Sequence, residues 1–418
     1  MKIKIDVFSL KHYLLMLLML HFHGAVITQN HQNIFILCSL LISITFIFKT
    51  RILKRKLDKF LLFLIVLSFS LFLTVILTEG SLSIFSVLNI LNRFLLIYTI
   101  YLYDKENFLK RLVKLSVCLS FISLIFFSIS LVHLETIRTI SLEIPQIGSS
   151  RIYLWNPVFS VLSRDYDRNI GIYGEPGLHQ IVPNTILFLL LFYNNKDLGI
   201  EIEQRKKYII IILVTIATIQ SITGYFATVA ILIGYFIQLK SVEKRGLQKL
   251  FLIIAFAFIL VATYQGPEGI ITSQFLNTVI SSEGDFDLNA SSGRSRTVAM
   301  SADLRIAGDF PLGVGFEKMG VIWRSYLTDE IPDISSPVGL TRSLATIGIP
   351  STLLISWFYI WNGWKNKKDY ISYGVYLFVL INTSLAQPVF WFPMLMILPL
   401  IENKNLPIET TLKRGDVL

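Results

Sequence analysis

The sequence predicts an all-α, polytopic integral membrane helix bundle of about 12 spans, each needing roughly 20 mainly apolar residues. Three observations point there. Hydrophobic side chains make up 53% of the 418 residues and charged ones only 16%, against about 25% charged in an ordinary soluble domain. The charges sit in short runs between long apolar stretches, so the formal charge of +10 is a topology signal and not a nucleic-acid surface. The 2 cysteines, Cys38 and Cys118, both fall inside apolar runs, which excludes a disulfide framework and a cysteine-ligated metal site. No soluble catalytic domain fits in what is left, and residues 1–418 are read as a single membrane domain.

Spans are expected near 12–28, 33–48, 60–78, 82–102, 112–132, 178–193, 208–222, 224–239, 250–264, 338–361, 371–385 and 388–401. The first is not a cleavable leader. It opens with Lys2, Lys4 and Lys11, but its far end reads His21-Phe22-His23-Gly24, which lacks a small-residue cleavage pattern. The sixth carries Pro183 close to its start. No internal repeat or low-complexity segment is visible.

Orientation follows from the connections. Lysine-rich clusters at 2–11, 49–59, 105–114, 196–207, 240–249, 365–368 and 404–414 hold most of the 38 basic residues and occupy alternate connections. By the positive-inside rule that face is cytoplasmic and carries both termini. The opposite face has two long segments, 133–177 and 265–337, and long connections in a compact protein tend to be functional. They contain Tyr153, Trp155, Phe286, Phe310, Phe316 and Trp323, enough apolar material to fold onto the membrane domain. The later segment is expected to be partly helical. Function is therefore expected on the extracytoplasmic side.

Away from the cytoplasmic clusters the basic residues change type. Arg93 lies in the fourth span, and outside it stand Arg138, Arg151, Arg164, Arg168, Arg294, Arg296, Arg305, Arg324 and Arg342, with Lys318 the one lysine. A guanidinium grips phosphate or carboxylate with two parallel bonds and is less strongly hydrated than an ammonium. The bias predicts an external site for an anionic, phosphate-bearing ligand. Ion pairs with Glu135, Glu143, Asp165, Asp303, Asp309 and other local acids account for most of these arginines.

Two stretches stand out. Arg168-Asn-Ile-Gly171-Ile-Tyr173-Gly174-Glu175-Pro176-Gly177-Leu-His179 places three glycines and a proline in seven residues just before the sixth span, a close-approach backbone. Ionisable groups at a membrane boundary are costly. A pre-proline carboxylate on extended backbone makes Glu175 a candidate general base, with pairing to an arginine the alternative; His179 is a candidate ligand-binding or structural histidine. The second stretch, Ser291 to Phe316, predicts an amphipathic helix over 295–307, started by Ser-Ser-Gly and stopped by Gly308 and Pro311. Arg294 and Arg305 are three turns apart, roughly 16 Å along one face. Arg294 sits at the positive helix end and is assigned to anion binding; Arg305 is expected to pair with Asp309 at i+4 or to contact ligand. Arg296 and Arg342 complete the candidate binding set, with Arg93 reaching a head group from below.

Both stretches resemble the O-antigen polymerase and ligase superfamily of bacterial polysaccharide assembly. The resemblance rests on the arginine–glycine element Arg168–Gly177 with its Gly174-Glu175-Pro176, on Ser292-Gly293-Arg294, and on Pro311-Leu-Gly313-Val-Gly315-Phe316. It extends to the many-span layout with a large late external loop. It implies a metal-independent glycosyltransferase without cofactor, acting on oligosaccharide linked to undecaprenyl pyrophosphate. Arg168 and Arg294 would hold the leaving pyrophosphate, and a flippase and a chain-length regulator would work beside the enzyme. Segment 265–337 has no histidine, whereas ligase members generally carry one there, so the resemblance favours a polymerase of O-antigen or capsule repeat units. The alternatives are a ligase and a lipid-linked oligosaccharide flippase or other transporter. The transporter reading lacks the two similar halves such proteins usually show.

Overall fold

The computed structural model describes residues 7–22, 25–26, 32–49, 59–78, 82–145, 151–156, 159–162, 168–238, 291–326 and 339–365. The expected spans at 250–264, 371–385 and 388–401 lie outside these, as does about half of segment 265–337. The described chain is mostly helical. Among the described residues three helices are long and apolar enough to cross a membrane: Lys59–Leu77, Ile84–Tyr103 and Phe108–Val132. Shorter apolar helices cover Leu10–Phe22, Ile34–Phe48 and Pro176–Phe192.

In chain order the bundle begins with α1 (Val7–Phe22), α2 (Gln32–Lys49), α3 (Lys59–Leu77), α4 (Ile84–Tyr103) and α5 (Phe108–Val132). Between α2 and α4 a buried polar triad replaces apolar packing. Asn92 donates to Ser39 Oγ at 2.5 Å and accepts from Ser43 at 3.3 Å. Such bonds fix helix pairs where no hydrophobic driving force distinguishes one apolar face from another. The faces turned away from neighbours are apolar: Ile34, Leu37, Leu41 and Phe48 on α2, and Ile65, Phe69 and Ile76 on α3, are all exposed. A water-facing helix would carry polar residues there.

The described part of segment 133–177 departs from the all-α expectation. After α6 (Leu134–Ile140), three short strands form an antiparallel sheet in the order β1 (Leu142–Pro145), β2 (Arg151–Asn156), β3 (Phe159–Leu162). Period-two alternation explains it. Ile152 and Leu154 face one way, packing with Val26 and Ile170, while Trp155 joins Phe126, Phe127, Ile137 and Phe159 on the other side. The register of β2 against β3 shifts between Leu154 and Asn156, a bulge beyond which Asn156 pairs with Phe159.

Next come a single turn, α7 (Pro176–His179), then α8 (Ile181–Phe192), the short α9 (Asn195–Leu198), α10 (Ile202–Ile219) and α11 (Ile222–Gln238). Every residue from Ile181 to Leu191 is buried. A helix apolar all round belongs at the centre, and α8 packs against α5, α10 and α11. Pro183 falls in its first turn, where no intrahelical amide bond is lost. Its far end is capped by Arg205, which donates to the Leu191 carbonyl at 3.2 Å and to Asn195 Oδ1 at 2.9 Å.

The late part of the chain forms a second, smaller core from α12 (Ser291–Asp309), α13 (Gly315–Tyr326) and α14 (Gly339–Lys365). The predicted helix over 295–307 is thus real and longer at both ends. Ala299, Ala302, Ile306, Val314, Met319, Trp323 and Ala345 pack together, and α14 carries this unit onto α3.

Helix α14 is broken at Gly348 (φ 85°). In an unbroken helix the Ile349 amide would donate to the Ala345 carbonyl. Here Ile349 donates to the Pro311 carbonyl and Ala345 accepts from the Val314 amide, both at 2.8 Å. The Pro311–Gly315 segment is therefore inserted into the opened helical ladder. Contact is so close that a Cβ on Gly313 would lie 2.5 Å from the Gly348 nitrogen, and one on Gly348 2.5 Å from the Leu312 oxygen. Gly348→Ala and Gly313→Ala should each destabilise the chain by about 2–4 kcal/mol, combining positive-φ strain with overpacking. Gly320→Ala, where an added Cβ meets nothing within 4 Å, should be neutral or stabilising by up to ~1 kcal/mol. Thermal unfolding of the purified variants in detergent tests this; equal losses at 320 and 348 would refute the insertion argument.

Candidate functional site

The turn before α8 is built around Asn169, which is fully buried. Its side-chain amide donates to Ser123 Oγ on α5 and to Thr218 Oγ1 on α10, each at 3.1 Å. Its side-chain oxygen accepts the Gly171 amide at 3.2 Å, and its own amide donates to the Thr218 carbonyl at 2.9 Å. Its carbonyl accepts from His179 Nδ1 at 2.9 Å. One residue thereby ties two long helices to the turn and to α7. Because a buried polar group without partners is costly, full satisfaction locks this geometry.

Glycines make the turn possible. Gly171 (φ 52°) and Gly174 (φ 70°) adopt the left-handed region. A Cβ at 171 would come within 2.8 Å of the His179 ring, and one at 174 within 2.5 Å of Val26 Cγ2. The Gly171 carbonyl accepts both the amide and the hydroxyl of Ser160 at 2.9 Å, and the Ile172 carbonyl accepts the Val26 amide at 2.9 Å. The sheet therefore holds the turn from one side and the chain after α1 from another. Tyr173 is buried, its ring 5.9 Å from that of His179; burial pushes its hydroxyl well above the ordinary tyrosine range.

Arg168 and Glu175 stand at the two ends of this turn, both half-buried. Arg168 acts electrostatically on Tyr225 of α11, whose hydroxyl donates to the Ala217 carbonyl at 2.8 Å. Glu175 has the extended backbone that a following proline imposes (φ −144°, ψ 133°). Its carbonyl receives the Leu178 and His179 amides, but its side chain makes no cap bond. His179 is buried under the turn rather than placed at an open boundary.

The remaining candidates are placed as follows. Arg93 is 3% exposed; its Nε donates to Asn89 at 3.1 Å and its guanidinium lies 5.0 Å from the Phe22 ring. Phe22 lies four residues before Val26, whose amide donates to the Ile172 carbonyl. Arg294 and Arg296 lie in the first two turns of α12, their side chains outside the described set. With the helix starting at Ser291, Arg294 is inside the first turn and not ahead of it. Arg305 is exposed, and its expected bridge to Asp309 does not form: Asp309 accepts the Tyr326 hydroxyl at 2.5 Å instead. Arg342 is buried beside Asp303 at 3.4 Å, its guanidinium 5.3 Å from the Trp323 ring, and Thr341 donates to the same carboxylate. Arg168, Glu175 and His179 thus lie on the turn and the single-turn helix that follows it; Arg305 and Arg342 belong to the α12–α14 unit.

Asn169→Ala should cost about 2–4 kcal/mol, since Ser123, Thr218 and the Gly171 amide lose their partner together. Gly171→Ala should also destabilise, and His179→Ala should recover part of that loss. A double-mutant cycle on thermal unfolding should give a coupling of roughly 0.5–3 kcal/mol; strictly additive losses would mean the ring is not what excludes a side chain at 171.

No protein-family model matches the sequence, and no curated protein matches it.

Proposed function

We propose that the chain is a polysaccharide polymerase, an inner-membrane glycosyltransferase that transfers a growing glycan from undecaprenyl pyrophosphate to a lipid-linked repeat unit. The observation that carries this reading is the turn at 168–179. A guanidinium and a carboxylate are presented half-buried from the ends of one short backbone segment, which Asn169 fixes against the apolar bundle. A pre-set cation and a pre-set base close to a membrane surface suit the chemistry of a lipid diphosphate. The arginine bias of the external segments and the resemblance of both stretches support the same conclusion.

In the proposed reaction the anomeric C–O bond to the carrier breaks while the acceptor hydroxyl forms the new glycosidic bond. Negative charge grows on the leaving pyrophosphate, where Arg168 and Arg294 stabilise it; one such pre-organised contact is typically worth ~3–4 kcal/mol of barrier. Glu175 takes the proton of the acceptor hydroxyl. The proposed topology has about twelve spans, both termini in the cytoplasm and the reaction on the external face.

Arg168→Lys and Arg294→Lys should each cut polymer formation about 10²–10³-fold although charge is kept, since two-pronged geometry is lost. Glu175→Gln should leave surface glycan capped with a single repeat unit. The readout is the chain-length ladder of surface polysaccharide in a deletion strain carrying each variant. Long-chain product from all three would overturn the proposal. In the deletion strain itself, intact polymer left on the carrier would select a ligase, and repeat units accumulated on the inner face a flippase.

A further inference from the structure

Beneath the glycine turn lies a small cavity whose volume open to the centre of a water-sized sphere is about 20 Å³. It is bounded by α5, the turn and the start of α8, with Leu20 and Val182 among its apolar walls. Ser116, Tyr173 and His179 line it too. Ser116 is 1% exposed and Tyr173 5%. Among the described residues neither hydroxyl has a hydrogen-bond partner. Two buried hydroxyls on different elements, orphaned around one hollow, are an exception to the usual satisfaction of interior polar groups.

The third polar wall complements them. His179 Nδ1 carries a proton, because it donates to the Asn169 carbonyl. A neutral ring so anchored presents Nε2 as an acceptor. Nε2 packs over Gly171, close enough that a Cβ there would sit 2.8 Å away. Donor-capable hydroxyls and an imidazole acceptor therefore meet around one space. A buried water needs about 10–15 Å³ of such volume and two to four polar partners, and the hollow offers both.

We propose that this cavity binds one ordered water, shared by the Ser116 hydroxyl, the Tyr173 hydroxyl and His179 Nε2. The water bonds α5 to the turn at a point that Asn169 does not reach. It is the second tie between the turn and that helix. The proposal does not depend on the reaction described above, since it concerns occupancy and not turnover.

The test uses the full-length purified chain in detergent, with Ser116→Ala, Tyr173→Phe and the double variant. If one water serves both hydroxyls, each single change lowers the unfolding temperature by about 2 °C, and the double variant falls no further than the worse single. Unchanged or raised temperatures in both singles would show a dry cavity; losses that add would show no shared water. A midpoint that rises in sodium chloride but not in choline chloride would identify a cation and overturn the assignment. Hydroxyl-radical labelling after a rapid shift into ¹⁸O-water gives an independent reading. Tyr173 should take up oxygen of the original isotope for longer than the more accessible Tyr326. No label at Tyr173, or label at the bulk isotope ratio, would overturn the proposal.

Discussion

The buried amide of Asn169 is the constraint on which the rest of the described site depends. It lies where α5, α10, the sheet-braced turn and α7 converge, and its donors and acceptors together reach all four, α10 twice through Thr218. Burying any of these groups without its partner is costly, so the five bonds stabilise the closed turn as a set. The positions of Arg168 and Glu175 are consequences of that closure.

The glycines of this chain serve two different purposes. Those at 171 and 174 let the turn approach His179 and Val26 at distances no side chain allows. Those at 313 and 348 let one backbone enter a break in another. The Pro311–Gly315 segment is scaffold: its atoms supply bonds missing from the broken ladder of α14, and that contact leaves no room for a side chain at 313. The arginines at 294 and 296 stand in the first two turns of the helix that leads into this clamp, so the clamp fixes where α12 ends relative to α14.

Long helices were legible because their evidence is spread over many residues: α3, α4 and α5 each match a predicted span closely. The sheet was not, although Ile152/Leu154 and Tyr153/Trp155 alternate plainly, because four- to six-residue strands carry little weight beside surrounding spans. Gly348 and Pro350 are visible in the tenth predicted span, yet only the docked segment shows why the helix opens there. Asn169 stands out in no local sequence pattern. Its importance lies in Ser123 and Thr218, 46 and 49 residues away, and no local pattern reports such partners. Arg305 illustrates the opposite failure: helical spacing to Asp309 was correct, but Tyr326, 17 residues on, takes the carboxylate.

The complete enclosure of α8 has a bearing on biogenesis. Of the helices that sheathe it, α5 is synthesised earlier, whereas α10 and α11 emerge from the ribosome afterwards. Newly made α8 therefore has apolar flanks with no protein neighbour until a further stretch of chain has been translated. Its all-apolar circumference suits that interval, because any polar side chain placed there to pair with a later arrival would meanwhile have nothing to bond. Asn184 and Thr185 are the exceptions, and both find interim acceptors one turn back, at the Gln180 and Ile181 carbonyls; Asn184 engages Gly224 and Thr228 only once α11 has joined.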